Sequence, residues 1–133
     1  MGGGAGMANG LEDNAMSIWQ YASGITAFTH QGFNTPFAET HLQLHGDAGS
    51  LHATGVLSQA PGGVVALSNT SGRTELPLDN DNLYQRVIRN MHAAIAGQPH
   101  ANADGWAGVR SLAVAHAVLQ SAASGRTVEV TYG

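Results

Sequence analysis

The chain has 133 residues, of which 43% are hydrophobic, and a formal net charge of -4 at neutral pH. A chain of this length is expected to form one domain with a hydrophobic core of its own. Cysteine is absent, which excludes disulfides and thiolate chemistry and is typical of a reducing compartment, so we expect a cytoplasmic protein. The five basic residues are scattered arginines, which argues against a nucleic acid-binding surface.

The sequence also lacks lysine, so a Schiff base and a phosphate-binding lysine are excluded for this chain acting alone. A glycine-rich run at residues 2–6 has neither a strand before it nor a helix after it, and a phosphate-binding loop needs both. No apolar run approaches the roughly 20 residues of a membrane span, and the first ten residues do not resemble a signal peptide. We interpret residues 1–11 as a flexible, glycine-rich lead-in.

The first predicted element is a hairpin that joins Ala15–Tyr21 to Ile25–Gly32 through Ala22–Gly24. Phe33–Phe37 interrupts this pattern, because Pro36 cannot donate a ladder hydrogen bond and favours an extended residue before it. We therefore predict a crossing loop at this point.

Two further hairpins follow the loop. Their strands are predicted at Ala38–His45, Ser50–Thr54, Val64–Asn69 and Arg73–Leu76. Glycine-containing turns at residues 46–49 and 70–72 connect the strands within each hairpin. Pro61 and the two glycines after it separate one hairpin from the next.

A first helix is indicated after Asp79–Asn82, whose polar side chains can cap its N-terminus. Its apolar residues recur at helical spacing and are Leu83, Val87, Ile88, Met91, Ala94 and Ile95. Gly97 is expected to end this helix, with Pro99 just beyond it.

A second helix is predicted between an N-cap at Asp104 and a terminating glycine at Gly125. The apolar stripe of this helix is formed by Val109, Leu112, Ala113, His116, and Leu119 or Gln120. On this stripe, His116 is interpreted as a packed, hydrogen-bonded histidine. Thr127–Val130 alternates as a half-buried strand does, so we predict that the chain ends in a strand.

This order of elements predicts an α+β domain over residues 12–133, with a largely antiparallel open sheet and two helices packed on one face. Consecutive strands joined by short turns cannot form the alternating βαβ units of a dinucleotide-binding fold. A sheet covered by helices on one side leaves its second face open, and such a face usually finds a partner.

Seven histidines raise the question of a metal site. His41 and His45 share a face of one predicted strand, but at about 3.3 Å per residue they lie roughly 13 Å apart. They are therefore too far apart to bind one ion together, and we predict no metal site. Together with Gln43 they are interpreted as a polar stripe facing solvent or a partner subunit.

His30 is the histidine that we select as a candidate site residue. It comes at the end of a predicted strand, just before Phe33, Asn34 and Thr35. A histidine, an amide and an aromatic ring at a strand-to-loop junction are typical of a surface that binds polyols. The alternative is a strand-end histidine without a functional role, and the residues alone leave both readings open.

Four segments in this order, among them LPLDNDNLYQRVIRNMHAAIAGQPHANADG, resemble the C-terminal half of the glucose-fructose oxidoreductase and inositol dehydrogenase family (Gfo/Idh/MocA). EDNAMSIWQYASGITAFTHQGF resembles the entry to the family's sheet, and FAETHLQLHGDAGSL resembles its central hairpin. ADGWAGVRSLAVAHAVLQSAASGRTVEV resembles its closing helix and strand. The resemblance covers nearly the whole chain.

The resemblance implies a parent protein in which a Rossmann domain holds NAD(P) and a domain like this one covers the sugar and builds the oligomer. The family's Glu-Lys-Pro motif, and its Asp and His on a helix, have no counterpart here, so no catalytic or cofactor-binding residue is expected and no cofactor for this chain alone. The resemblance places the segment His30–Phe37, which includes Phe33, Asn34 and Thr35, on the substrate side.

The first hypothesis is the substrate-side and oligomerisation domain of an NAD(P)-dependent sugar oxidoreductase, as a fragment, split gene product or excised domain. Its expected partners are further copies of the chain, through the open sheet face, and a separate Rossmann-domain chain, with no nucleic acid and no membrane. The alternatives are a stand-alone self-associating module and an independent carbohydrate binder.

Overall fold

The computed structural model describes residues 12–58 and 60–132, so the lead-in expected at residues 1–11 lies outside the described part. Within it the chain forms six strands and two helices: β1 Asn14–Gln20, β2 Thr26–Gly32, β3 His41–Gly46, β4 Gly49–Thr54, β5 Val64–Asn69, β6 Gly72–Leu76, α1 Leu83–Ile95 and α2 Gly105–Ser124. All strand pairs are antiparallel, which confirms the α+β class. The strands are divided between a two-stranded sheet, β1-β2, and a four-stranded sheet, β3-β4-β5-β6.

The chain divides into two compact units. The first contains β1, β2, α2 and the residues after α2, and the second spans residues 39–104 with β3 to β6 and α1.

In the first unit, β1 and β2 form the predicted hairpin, with Gln20 opposite Thr26 and Asn14 opposite Gly32. Alternate residues of both strands are half-buried, as expected for a period of two. On the half-buried face Ser17 Oγ lies 2.7 Å from Thr29 Oγ1, and the indole N–H of Trp19 donates to Ser17 Oγ at 2.9 Å. This network of three side chains ties the two strands together on their more buried side.

Helix α2 follows Asp104 directly and ends before Gly125, as predicted. Gly125 has a φ of 65°, which glycine adopts without strain, and its N–H donates to the Ser121 carbonyl at 2.8 Å. The more buried side of the helix carries small residues: Ala107, Ala113, Val114, Ala117, Val118 and Ser121. Side chains of this size allow another segment of the chain to approach the helix closely.

The apolar stripe that was expected to pack lies on the exposed side of α2, except for Ala113, which is half-buried. Leu112 is 63% exposed and Leu119 is 48% exposed, and His116 is exposed rather than packed. The expectation was wrong because this helix is apolar around nearly its whole circumference, so periodicity alone could not decide which side packs.

The final strand predicted at Thr127–Val130 is not formed among the described residues. Val128 and Val130 are half-buried while Thr127 and Glu129 are exposed, so the alternation that suggested a strand is real. A strand also needs a neighbour to accept its hydrogen bonds, and a sequence pattern cannot supply that neighbour.

The second unit contains the two remaining predicted hairpins, joined into one meander of four strands. Two-residue turns, Asp47-Ala48 and Thr70-Ser71, connect β3 to β4 and β5 to β6. Strand β3 begins three residues later than predicted, and the N–H of Ala38 instead donates to the Thr35 carbonyl at 3.0 Å.

Helix α1 has the caps that the sequence indicated. The side chain of Asn82 accepts a hydrogen bond from the Gln85 N–H at 3.1 Å. At the other end, Gly97 has a φ of 68° and donates to Ala94, while Gln98 donates to Ala93, which together form a Schellman motif. Most of the predicted apolar stripe of α1 is exposed, with only Leu83 and Ala94 half-buried.

The buried apolar residues of the described part are three alanines, Ala53, Ala66 and Ala117, and no large side chain is fully buried there. The expectation of a large core from chain length is therefore not met within residues 12–58 and 60–132. The reason is that most of the larger apolar side chains of both helices and of the β1-β2 hairpin are exposed. No helix in this part of the chain is both long and apolar enough to cross a membrane.

Candidate functional site

The candidate residues lie at the open end of the β1-β2 hairpin, where β1 begins and β2 runs into the crossing loop. In the antiparallel register, His30 is opposite Met16 and Gly32 is opposite Asn14. Residues two apart on a strand share a face, so the side chains of His30 and Asn14 emerge on the same exposed face.

A chain of hydrogen bonds links three side chains on this face. His30 Nε2 lies 3.2 Å from Asn14 Oδ1, and Asn14 Nδ2 donates to Asn34 Oδ1 at 3.0 Å. Two of the predicted site residues, His30 and Asn34, are thus brought together by a third residue that the sequence did not single out. We call His30, Asn14 and Asn34 the amide-histidine cluster.

Gly32 allows the cluster to close up. A Cβ built on Gly32 would lie 2.8 Å from Thr35 Oγ1 and 3.4 Å from both Asn14 Nδ2 and His30 Nε2. A side chain at this position would therefore clash with the Thr35 hydroxyl, while its Cβ would only touch Asn14 and His30. Thr35, also predicted, is half-buried, and its hydroxyl donates a long hydrogen bond of 3.5 Å to the Gly32 carbonyl.

The backbone fixes where the crossing loop leaves the sheet. The N–H of Phe33 donates to the Asp13 carbonyl at 2.8 Å, which extends the hairpin by one bond beyond the last strand pair. The ring of Phe33 is 77% exposed and is an apolar surface of the crossing loop. The carboxylate of Asp13 has one buried oxygen, Oδ2, without a hydrogen-bond partner among the described residues.

The histidines of the four-stranded sheet are arranged differently. His45 Nδ1 lies 2.9 Å from Ser50 Oγ, and its Nε2 lies 3.3 Å from Gln43 Oε1. The His52 ring, which sequence reasoning did not consider, is 5.7 Å from the His45 ring and nearly perpendicular to it. In the described part of the chain, no three histidine, aspartate or glutamate side chains are grouped so that they could hold a metal ion.

The described residues do not fit a dinucleotide. Phosphate groups bind at helix N-termini because the backbone N–H groups there attract negative charge. The N-terminus of α1 is preceded by Asp79 and Asp81, and α2 follows Asp104. Asp79 and Asp81 are paired with Arg86 and Arg89, but neither helix follows a strand through the glycine-rich turn that precedes a phosphate-binding helix.

Comparison with known proteins identifies the class of this chain. Residues 4–130 match the family described as the oxidoreductase family, C-terminal alpha/beta domain (GFO_IDH_MocA_C). The chain belongs to this family, as the order of its hairpins and helices indicated.

A curated relative gives the comparison at the level of a single protein. The chain is 42% identical to a 1,5-anhydro-D-fructose reductase of Ensifer adhaerens over 130 residues. The match covers 97% of this chain and 39% of the relative, so the chain spans well under half of that protein's length. The sequence motifs had indicated this reductase, and the comparison confirms the likeness.

Proposed function

We propose that this chain is the substrate-side and oligomerisation part of an NAD(P)-dependent sugar oxidoreductase, and that it does not transfer hydride by itself. Family membership and the likeness to a sugar reductase support the reaction class. The hydride carrier in this proposal is a nicotinamide dinucleotide held by another polypeptide segment, because the described residues of this chain do not fit one.

The observation that carries the proposal is the amide-histidine cluster. Its members are neutral amides and an imidazole, which can both donate to and accept from the hydroxyl groups of a sugar. The exposed ring of Phe33 offers an apolar surface for the carbon skeleton, and Thr35 adds a hydroxyl. The substrate-facing residues are therefore proposed to be His30, Phe33, Asn34 and Thr35, joined by Asn14.

The division of labour follows from what the chain lacks. It has no lysine to act as a general acid, and its family relative is much longer than the matched region. In the proposed assembly this chain binds and orients the sugar, while the nicotinamide supplies the hydride. Its partners are a separate Rossmann-domain chain and further copies of itself, in a cytoplasmic protein.

The test of this proposal is a binding and activity assay on the purified chain. Titration with NADH or NADPH should give no saturable binding, and 1,5-anhydro-D-fructose should not be turned over. Adding the nucleotide-binding part of the related reductase, produced as a separate chain, should restore keto-sugar-dependent oxidation of the reduced cofactor. Saturable cofactor binding by this chain alone would contradict the proposed division of labour.

A second candidate function is a stand-alone module that works by self-association. The exposed face of the β1-β2 hairpin carries Met16, Ile18 and Phe28, each about two-thirds exposed or more. Burying these side chains against a second copy would be favourable at roughly 25 cal/mol per Å² of apolar surface. Sedimentation at micromolar concentration tests this idea, and a monomeric mass would count against association through either sheet.

A further inference from the structure

We propose that Asn14 is the positioning residue of the amide-histidine cluster: it fixes the tautomer of His30 and orients the amide of Asn34 for a polyol. This inference rests on the proposed function for its ligand, but its geometric part can be tested without one. Asn14 lies outside the crossing loop, and only the strand register brings it close to His30.

The first step concerns the His30 ring. Asn14 presents its amide oxygen to His30 Nε2 at 3.2 Å, and an amide oxygen can only accept a hydrogen bond. His30 Nε2 must therefore carry the proton when the ring is neutral. The lone pair is then on Nδ1, which makes no hydrogen bond among the described residues and is available to accept one from a ligand hydroxyl.

The second step concerns Asn34. The amide nitrogen of Asn14 donates to Asn34 Oδ1 at 3.0 Å, which occupies the acceptor end of the Asn34 side chain. The Asn34 amide nitrogen is left with its two N–H groups directed away from Asn14. The cluster therefore presents one acceptor, His30 Nδ1, and one donor, Asn34 Nδ2, on either side of Asn14.

The third step is the match to a ligand class. Each hydroxyl of a polyol can both donate and accept, so two neighbouring hydroxyls can donate to His30 Nδ1 and accept from Asn34 Nδ2. When the ring is neutral, a carboxylate or phosphate would find no donor at His30 Nδ1, because two lone pairs would face each other there. The cluster thus favours a neutral diol over an anion.

Gly32 lies against the His30–Asn14 pair. The space above its Cα is shared by Thr35 Oγ1, Asn14 Nδ2 and His30 Nε2, all within 3.4 Å of a Cβ built there. A Cβ at this position would clash with Thr35 Oγ1 and would touch Asn14 and His30 at about ordinary contact distance. Gly32, which is opposite Asn14 in the ladder, leaves the His30–Asn14 pair undisturbed because it has no side chain.

The experiment uses long-range ¹H–¹⁵N NMR of the histidine rings in the full chain, without ligand. The wild-type chain should show His30 as the Nε2–H tautomer. Asn14→Ala should let the two tautomers mix, whereas Asn14→Asp should keep the Nε2–H form, because a carboxylate still accepts from His30. Asn34→Ala is the matched control and should leave the His30 tautomer unchanged.

The second arm measures binding of 1,5-anhydro-D-fructose and myo-inositol by chemical-shift titration. Asn14→Asp keeps the acceptor for His30 but has no N–H for Asn34, so it should weaken binding about as much as Asn34→Ala, on the order of tenfold. Asn14→Ala should weaken binding at least as much as Asn14→Asp.

The two arms separate the two proposals. A His30 ring that carries its proton mainly on Nδ1, or a tautomer that does not respond to Asn14→Ala, overturns the positioning role whatever the polyol titration shows. The expected tautomers together with no polyol binding by the wild-type chain, alone or with its nucleotide-binding partner, would uphold the positioning geometry and overturn the sugar-binding function.

Discussion

His30 and His45 are both exposed histidines on strands, and both are hydrogen-bonded to polar side chains of their own sheet. They differ in how many ring nitrogens are used. His45 is bonded through both nitrogens, to Ser50 and to Gln43, whereas His30 is bonded through Nε2 alone, to Asn14. Both side chains are exposed, so the exposure class does not distinguish them.

The difference indicates which histidine can serve a ligand. A ring with both nitrogens engaged has to give up an existing hydrogen bond before it can bind anything else. A ring with one nitrogen engaged is oriented by that bond and keeps its other nitrogen available. The β1-β2 hairpin thus presents an oriented histidine with one nitrogen available, as the proposed binding role requires, while His45 is held within a polar surface network of the four-stranded sheet.

The largest expected effect concerns the hydrogen-bonded side chains on the half-buried face of the β1-β2 hairpin, opposite the amide-histidine cluster. Ser17→Ala removes the partner of both Thr29 Oγ1 and the Trp19 indole N–H on the half-buried face. Leaving these groups unmatched should lower the free energy of unfolding by about 1–3 kcal/mol. Urea denaturation followed by Trp19 fluorescence, in a Trp106→Phe background, measures it.

The control for this change is the opposite face of the same hairpin. Ser17→Ala should leave the His30 tautomer as it is, because Asn14 and His30 lie on the other face. An unchanged denaturation midpoint would mean that the Ser17 network does not stabilise the hairpin.

The next effect tests the two histidines directly. His30→Ala removes the available acceptor and should weaken polyol binding about tenfold, since one hydrogen bond contributes roughly 0.5–1.5 kcal/mol. His45→Ala is the matched control and should change the affinity little. The measurement is chemical-shift titration with 1,5-anhydro-D-fructose, and equal losses in both variants would remove the distinction between the two sites.

A smaller effect follows from making His45 resemble His30. Ser50→Ala removes the partner of His45 Nδ1 but keeps Gln43 on the other nitrogen. The released nitrogen should then react faster with diethylpyrocarbonate, by about two- to tenfold, because no hydrogen bond has to be broken first. Peptide mapping by mass spectrometry gives the rate at each histidine.

His30 in the wild-type chain serves as the internal standard for this experiment. Its rate should exceed that of His45 in the wild-type chain and should not change with Ser50→Ala. Equal rates for the two histidines before the substitution would contradict the comparison.

The sequence was informative wherever the signal is local. The turns, both helix ends and the candidate position of His30 depend on residues within a few positions of each other. Asn14 was missed because its partners His30 and Asn34 lie 16 and 20 residues away, and only the strand register brings them together. A polar residue at the start of a predicted strand, opposite a glycine at the end of the next, is the signal that could have found it.

The predictions of the packed side of α2 and of a final strand were wrong for a different reason. Both depend on which neighbour covers a surface, and α2 offers apolar residues on every side. The stripe of Val109, Leu112 and Leu119 satisfies helical periodicity as well as the small residues that are in fact more buried. Periodicity identifies a helix, but the choice between two apolar sides is made by tertiary contacts.

The smallest expected effect is a loss of stability at low pH, which limits the pH range over which His30 and His45 can be compared. The backbone N–H of Asn82 donates to Asp81, and this bond, together with the bond from Arg89, holds the pKa of Asp81 below its ordinary value of 3.8. A carboxylate with a lowered pKa stabilises the folded state above pH 3.8, and this contribution is lost as the pH falls through the folded-state pKa. Asp81 lies just before α1, in the same unit as His45.

Acidification below about pH 4 should therefore loosen the start of α1. At higher pH, ionised Asp81 still stabilises the unit that contains His45. Far-ultraviolet circular dichroism from pH 6 to pH 2 measures the loss of helix. Asp81→Asn cannot titrate and should show a smaller acid-dependent change than the wild-type chain, with Asp47→Asn as a control in the β3-β4 turn. An identical acid profile for wild type and Asp81→Asn would show that the Asp81 contacts do not couple protonation to helix stability.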